Sequence, residues 1–203
     1  RLGRRRGVRL TVWPWEHVIV SYLTFSVGVH VVSRRPPTAF EASALALASV
    51  SPDLIDKPLA WQFGVFPSGY GAGHSVFFAV PLTWFVLIVS AVLRRPGVGV
   101  AFGAAYGLHL AGDVVPDLLA GDGFPIERVL WPVFTVETTY EEGFAGTLLG
   151  YLADALDDLL SGPPSASFLV VLGLTATCAV LWLYDGMPGV REPVTWGWRR
   201  LRD

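Results

Sequence analysis

Apolar residues run almost unbroken through five stretches of this chain, at about residues 17–33, 37–50, 74–93, 97–119 and 166–184, and polar or proline-rich breaks separate them. The third stretch is the clearest, because about twenty apolar residues is the length a helix needs to cross the hydrocarbon core of a bilayer. The second is short, which suits a tilted, re-entrant or buried helix. Arg34-Arg35-Pro36-Pro37 and Arg94-Arg95-Pro96-Gly97 mark tight turns, since proline ends one helix and can open the next. Their similarity predicts two helical hairpins. Trp13, Trp15, Trp61, Trp131, Trp196 and Trp198 fall just outside the apolar runs, the pattern of an interfacial aromatic belt.

The long segment 121–165 contains one more helical pattern. Leu148, Leu149, Leu152, Leu156, Leu159 and Leu160 recur at helical spacing, with Asp154, Asp157 and Asp158 on the other side. Surface-seeking membrane helices are usually basic, so this acidic one is expected to dock on the protein, and Gly162-Pro163-Pro164 ends it. The predicted fold is all-α: a polytopic transmembrane bundle of about five helices forming a single domain over 1–203. Within it, 11–134 forms the helical core, 135–165 the loop with its amphipathic helix, 166–185 the last span and 186–203 a polar tail.

Composition strengthens the membrane reading. The chain is 52% hydrophobic and 16% charged, where a soluble domain carries about a quarter charged residues. A net charge of −2 with no broad basic face argues against a nucleic-acid partner. The bilayer is the expected partner, and the pattern leaves the oligomeric state open. Positive charge is almost all arginine, Lys57 is the only lysine and asparagine is absent, a bias that suggests a high-GC, salt-loving archaeal source. The lone Cys178 lies in an apolar run and has no intramolecular partner.

Arginines 1, 4, 5, 6 and 9 precede the first apolar run as in a signal sequence, but no small-residue cleavage site follows. A retained membrane helix is expected. Arg34-Arg35, Arg94-Arg95 and the tail arginines 191, 199, 200 and 202 would share one side, which the positive-inside rule makes cytoplasmic. The opposite face would then look outward, an assignment that the arginine-rich N-terminus opposes.

Helix direction gathers the chemistry. His109 and Asp113, four apart, lie on one face of the fourth helix. Taken alone, they could equally be a buried hydrogen-bonded pair that steadies the bundle. Asp53 and Asp56 follow the second helix, His74 opens the third and His17 opens the first. Alternating helix direction places all six at one end of the bundle. His30 lies roughly 20 Å along helix one from His17 and should stand apart. Mixed imidazole and carboxylate donors suit a divalent metal, zinc favoured and manganese or iron possible. Five or six donors allow one or two ions, able to activate water against a phosphoester. Asp56, outside the ligand set, is the candidate general base. A non-catalytic membrane protein whose metal staples helix ends, or which supports a partner, is the alternative.

Asp53 with its preceding Pro52, His74-Ser75, His109-Leu110-Ala111-Gly112-Asp113 and Leu130-Trp131-Pro132 resemble the YdjM-like family of membrane-bound metal-dependent hydrolases. The run 52–61 is similar to haloarchaeal members, and the resemblance covers about residues 13–134. That family is grouped with zinc-dependent phospholipase C and related nucleases. The resemblance therefore implies His17, Asp53, His74, His109 and Asp113 as metal ligands and a phosphoester or phospholipid substrate. The chain departs from the pattern in three places. Its second carboxylate, Asp56, comes one position later than in the family's PDxD. Tyr70-Gly71-Ala72-Gly73 replaces a basic residue common before His-Ser. No histidine follows Asp113, and Glu137, Glu141 and Glu142 are weak substitutes for the further ligands of the secreted enzymes.

Overall fold

A computed structural model of the chain describes residues 14–137, 143–160 and 165–191. The N-terminal arginines, Trp13, Glu141, Glu142, the Gly162-Pro163-Pro164 break, and Trp196, Trp198, Arg199, Arg200 and Arg202 lie outside the described residues, as do the side chains of Asp154, Asp158 and Leu159. Among the described residues the architecture is all-helical. The helices are α1 Pro14–Ser33, α2 Ala39–Trp61, α3 Val76–Val92, α4 Pro96–Gly112, α5 Val115–Ala120, α6 Gly143–Leu160 and α7 Ala166–Tyr184.

Helices α2 and α4 form the centre; α3 packs on α4, α1 lies against both, and α7 rests chiefly on α1. Ala42, Ala48, Ala101 and Ala105 are buried where α2 and α4 meet the core, and small side chains let helix backbones approach closely. Tyr22, Phe25, Leu45, Phe102 and Tyr106 fill the space around them. The outer surface is also apolar. Val27 and Val31 on α1, Phe85, Ile88 and Val92 on α3, and Val170 and Val180 on α7 are all exposed, a surface suited to hydrocarbon rather than water. Trp15–Ser33 and Pro96–Ala120 are long and apolar enough to cross a membrane by length and composition; Val76–Val92 and Phe168–Tyr184 are shorter apolar helices.

Both Arg-Arg-Pro turns adopt one geometry: Arg34 and Arg94 have φ of 51° and 57°, the left-handed conformation that commonly ends a helix. After the first turn, Thr38 and Glu41 form a capping box at the start of α2, and Arg35 grips buried Glu41 through two bonds of 2.6 and 2.7 Å. This pair lies at the end of the bundle remote from His17.

Three boundaries differ from the sequence expectation. The second helix continues eleven residues beyond 50, through Pro52 and Pro58, to Trp61. A proline inside a helix removes one backbone hydrogen bond, a loss that packing against neighbouring helices offsets here. The third begins at Val76, with Ser75 as its N-cap. The fourth stops at Gly112 and resumes as α5 with Pro116 in its first turn. The amphipathic helix forms as α6, and Leu149, Leu156 and Leu160 on it are 65%, 56% and 78% exposed. Its packing is with the end of α2.

A candidate metal centre at one end of the bundle

Pro52 has no N–H to give the carbonyl of Ala48, which loosens the backbone ladder of α2 at this level. The neighbouring Ser49 carbonyl accepts a 2.7 Å hydrogen bond from His109 Nδ1 on α4. A carbonyl can only accept, so the Nδ1 of His109 carries the proton and its Nε2 presents a lone pair. His74 is tied in the same way. Its Nδ1 donates to Asp56 Oδ2 at 2.8 Å, so its neutral ring also presents Nε2 inward.

The two inward nitrogens lie 3.2 Å apart. Asp53 Oδ1 is 3.4 Å from His74 Nε2 and 3.9 Å from His109 Nε2. Asp113 Oδ2 is 3.2 and 3.5 Å from the same two atoms. It is buried and receives no hydrogen bond of good geometry among the described residues. Zinc bonds to nitrogen or oxygen of about 2.0–2.1 Å in a tetrahedron would place ligand atoms roughly 3.3 Å from one another. The two histidine nitrogens stand near that spacing from each other, and each carboxylate oxygen lies 3.2–3.9 Å from both of them.

These lone pairs repel unless something positive lies among them. A proton is one solution. Burial disfavours a charged His74, but the carboxylates of Asp113, Asp53 and Asp56 outweigh it and push its pKa up to about 10. A divalent cation is the other, and the donor set fits it. Asp53, His74 and His109 form one group able to hold a metal ion, and His17, His109 and Asp113 form a second. His17 Nε2 lies 3.5 Å from Asp113 Oδ1, and its ring stacks on His109 at 3.9 Å.

All five residues expected at this end are therefore together: His17 from α1, Asp53 from α2, His74 before α3, His109 from α4, and Asp113 at its C-terminus. Asp56 sits behind them. It is fully buried and accepts from the backbone N–H groups of Gly71, Gly73 and His74 as well as from the His74 ring. With its oxygens engaged and no solvent contact, Asp56 is not placed as the general base expected of it; it fixes the orientation of His74. Glu137 is exposed.

Several contributors had no motif to reveal them. Lys57 Nζ is 2.7 Å from Asp53 Oδ2, one helical turn away. Arg128 Nη1 donates to the Asp113 carbonyl, and the guanidinium pairs with Asp117 at 2.6 Å and lies over Tyr70. These cations bring positive charge to an end where a basic residue before His-Ser is missing. Tyr106 donates to the Gly73 carbonyl at 2.6 Å, and Ser75 to that of Trp131, so the Leu130-Trp131-Pro132 segment secures the start of α3. A Cβ on Gly112 would come within 2.9 Å of the His17 ring; only glycine leaves room for it.

His30 is separate, as its distance along α1 requires. Tyr22, Ser26 and His30, on one face of α1, all reach Asp185 just past α7, at 2.7, 2.6 and 2.7 Å.

The family model for the YdjM inner membrane protein matches residues 11–187, and the chain belongs to that family. No curated protein and no solved structure matches it significantly.

Proposed function

We propose that this YdjM-family chain is a membrane-embedded, metal-dependent hydrolase that cleaves a phosphoester or lipid-headgroup bond. The observation that carries the reading is the set of inward lone pairs on His74 Nε2, His109 Nε2, Asp53 Oδ1 and Asp113 Oδ2, spaced 3.2–3.9 Å from the histidine nitrogens. A divalent metal held there, zinc favoured and manganese or iron possible, would supply a Lewis acid able to polarise a phosphoryl oxygen and lower the pKa of water. His17, with His109 and Asp113, forms a second group that could hold an ion and shares His109 with the first.

The chain's own residues do the positioning. Asp56 and the Ser49 carbonyl hold the two imidazoles in the tautomer that leaves Nε2 free, as outer-shell partners of metal-ligating histidines do. Lys57 and Arg128, each about a quarter exposed, are cations beside the site that can meet an anionic substrate. Helices α1, α2, α3, α4 and α7 are read as five spans. The arginine pairs at the far end put that end in the cytoplasm and the metal face outward.

The test is zinc-loaded protein in detergent, assayed on a panel of phosphodiesters and phosphomonoesters beside chelator-treated protein and His109→Ala. Turnover that requires both zinc and His109 is expected. Equal turnover in all three samples, or none in zinc-loaded protein, would reject the hydrolase.

A structural staple is the second reading, favoured by the complete burial of His74 and His109, since structural sites are closed and catalytic ones keep an open position. On that reading chelation lowers the melting temperature and there is no turnover to lose.

A further inference from the structure

Helix α7 is fastened to α1 unevenly. At the end remote from the metal centre, Asp185 collects Tyr22, Ser26 and His30. At the metal end, a groove of about 210 Å³ separates α7 from α1 and α4. Its lining changes character along its length. Glu16 and His17 form one end, and Val20, Leu108, Val171 and Leu174 line the rest. Val20 and Leu174 are each 40% exposed, so the groove opens sideways onto the apolar surface of the bundle. Gly112 also lines it, at the point where His17 stacks on His109.

A cleft with this layout matches an amphiphile, polar at the metal end and apolar toward the membrane interior. A soluble phosphoester would have no use for the apolar length. We infer that this groove seats an acyl chain of a phosphate-bearing lipid, entering laterally from the bilayer with its headgroup toward His17. The identification of that lipid as substrate rests on the hydrolase reading; the seat itself does not. Val20 and Leu174 then set which chains fit.

The experiment uses full-length, zinc-loaded protein in nanodiscs doped with phosphatidylglycerol carrying a diazirine in its acyl chain. Photolysis and peptide mapping locate the label. Crosslinks should concentrate on Val20, Leu108, Val171 and Leu174 rather than on the outer face of α3 around Ile88. Leu174→Trp, which fills the groove, should lower them about tenfold, the equivalent of roughly two methylenes denied burial, while Ile88→Trp should not. Diazirine-diacylglycerol, which lacks the phosphate, should label the groove far less. Uniform labelling of groove and α3, or labelling indifferent to the phosphate, would mean a bystander lipid only and overturn the inference. Groove labelling without phosphoester turnover would reject the hydrolase reading alone. Turnover without groove labelling would reject the groove alone.

Discussion

His74 Nε2 and His109 Nε2 face each other across 3.2 Å while the other nitrogen of each ring is tied down, one by Asp56 and one by the Ser49 carbonyl. Neither ring can turn away without giving up a buried hydrogen bond. The pair is therefore held in a position that a proton or a shared metal cation makes favourable.

Removing a donor should empty the centre. His109→Ala and Asp113→Ala should lose bound metal while keeping their helical circular dichroism, measured by elemental mass spectrometry on purified protein. Undiminished metal in both variants would remove the site.

Asp56→Asn tests the outer shell. Asn presents one acceptor oxygen where Asp56 uses two against four N–H donors, so metal affinity should fall about 10–100-fold. Competition against a chromogenic chelator reads it. An unchanged affinity would show that the orientation of His74 does not depend on this carboxylate.

Acidity should act through His74. Its pKa without metal, about 10, lies above the ordinary imidazole value, so the folded protein holds a proton there at neutral pH and metal must expel it. Affinity should rise with pH up to about 10, by about tenfold per unit for one displaced proton. The sign for the metal-free fold is opposite: stabilisation from the charged ring is full below about 6.5 and lost as pH rises through about 10. Metal titration and thermal melting at several pH values separate the two trends.

Asp185→Ala should leave Tyr22, Ser26 and His30 without their shared acceptor and destabilise the bundle by about 1–3 kcal/mol. Metal content should stay at the wild-type level. A loss of metal as large as that of His109→Ala would show that the two polar clusters are one unit.

Orientation can be read with a membrane-impermeant maleimide on intact cells, in a Cys178→Ala background. Val133→Cys, exposed at the metal end, should be labelled, and Arg94→Cys, at the opposite end, should not. The reverse pattern would turn the metal face inward.

Much of this was legible in the chain. Apolar runs fix helices, because a backbone out of contact with water must bond to itself. Alternating helix direction then dictates which helix ends meet, so His17, Asp53, His74, His109 and Asp113 could be assigned to one end before any contact was known. Length along α1 alone also set His30 apart.

Tertiary structure decided the rest, for reasons local pattern does not contain. Pro52 reads as a stop, yet α2 continues through it because packing against neighbouring helices outweighs a missing N–H. Asp56 reads as a free carboxylate until the 71–74 backbone folds over it and takes its lone pairs. The leucines of α6 read as one docking face, but among the described residues α6 meets α2 while Leu149, Leu156 and Leu160 stay exposed. The sequence by itself determined which residues reach the metal end. Only the fold decided which of their atoms point inward, because that depends on hydrogen bonds from distant segments to the far side of each ring.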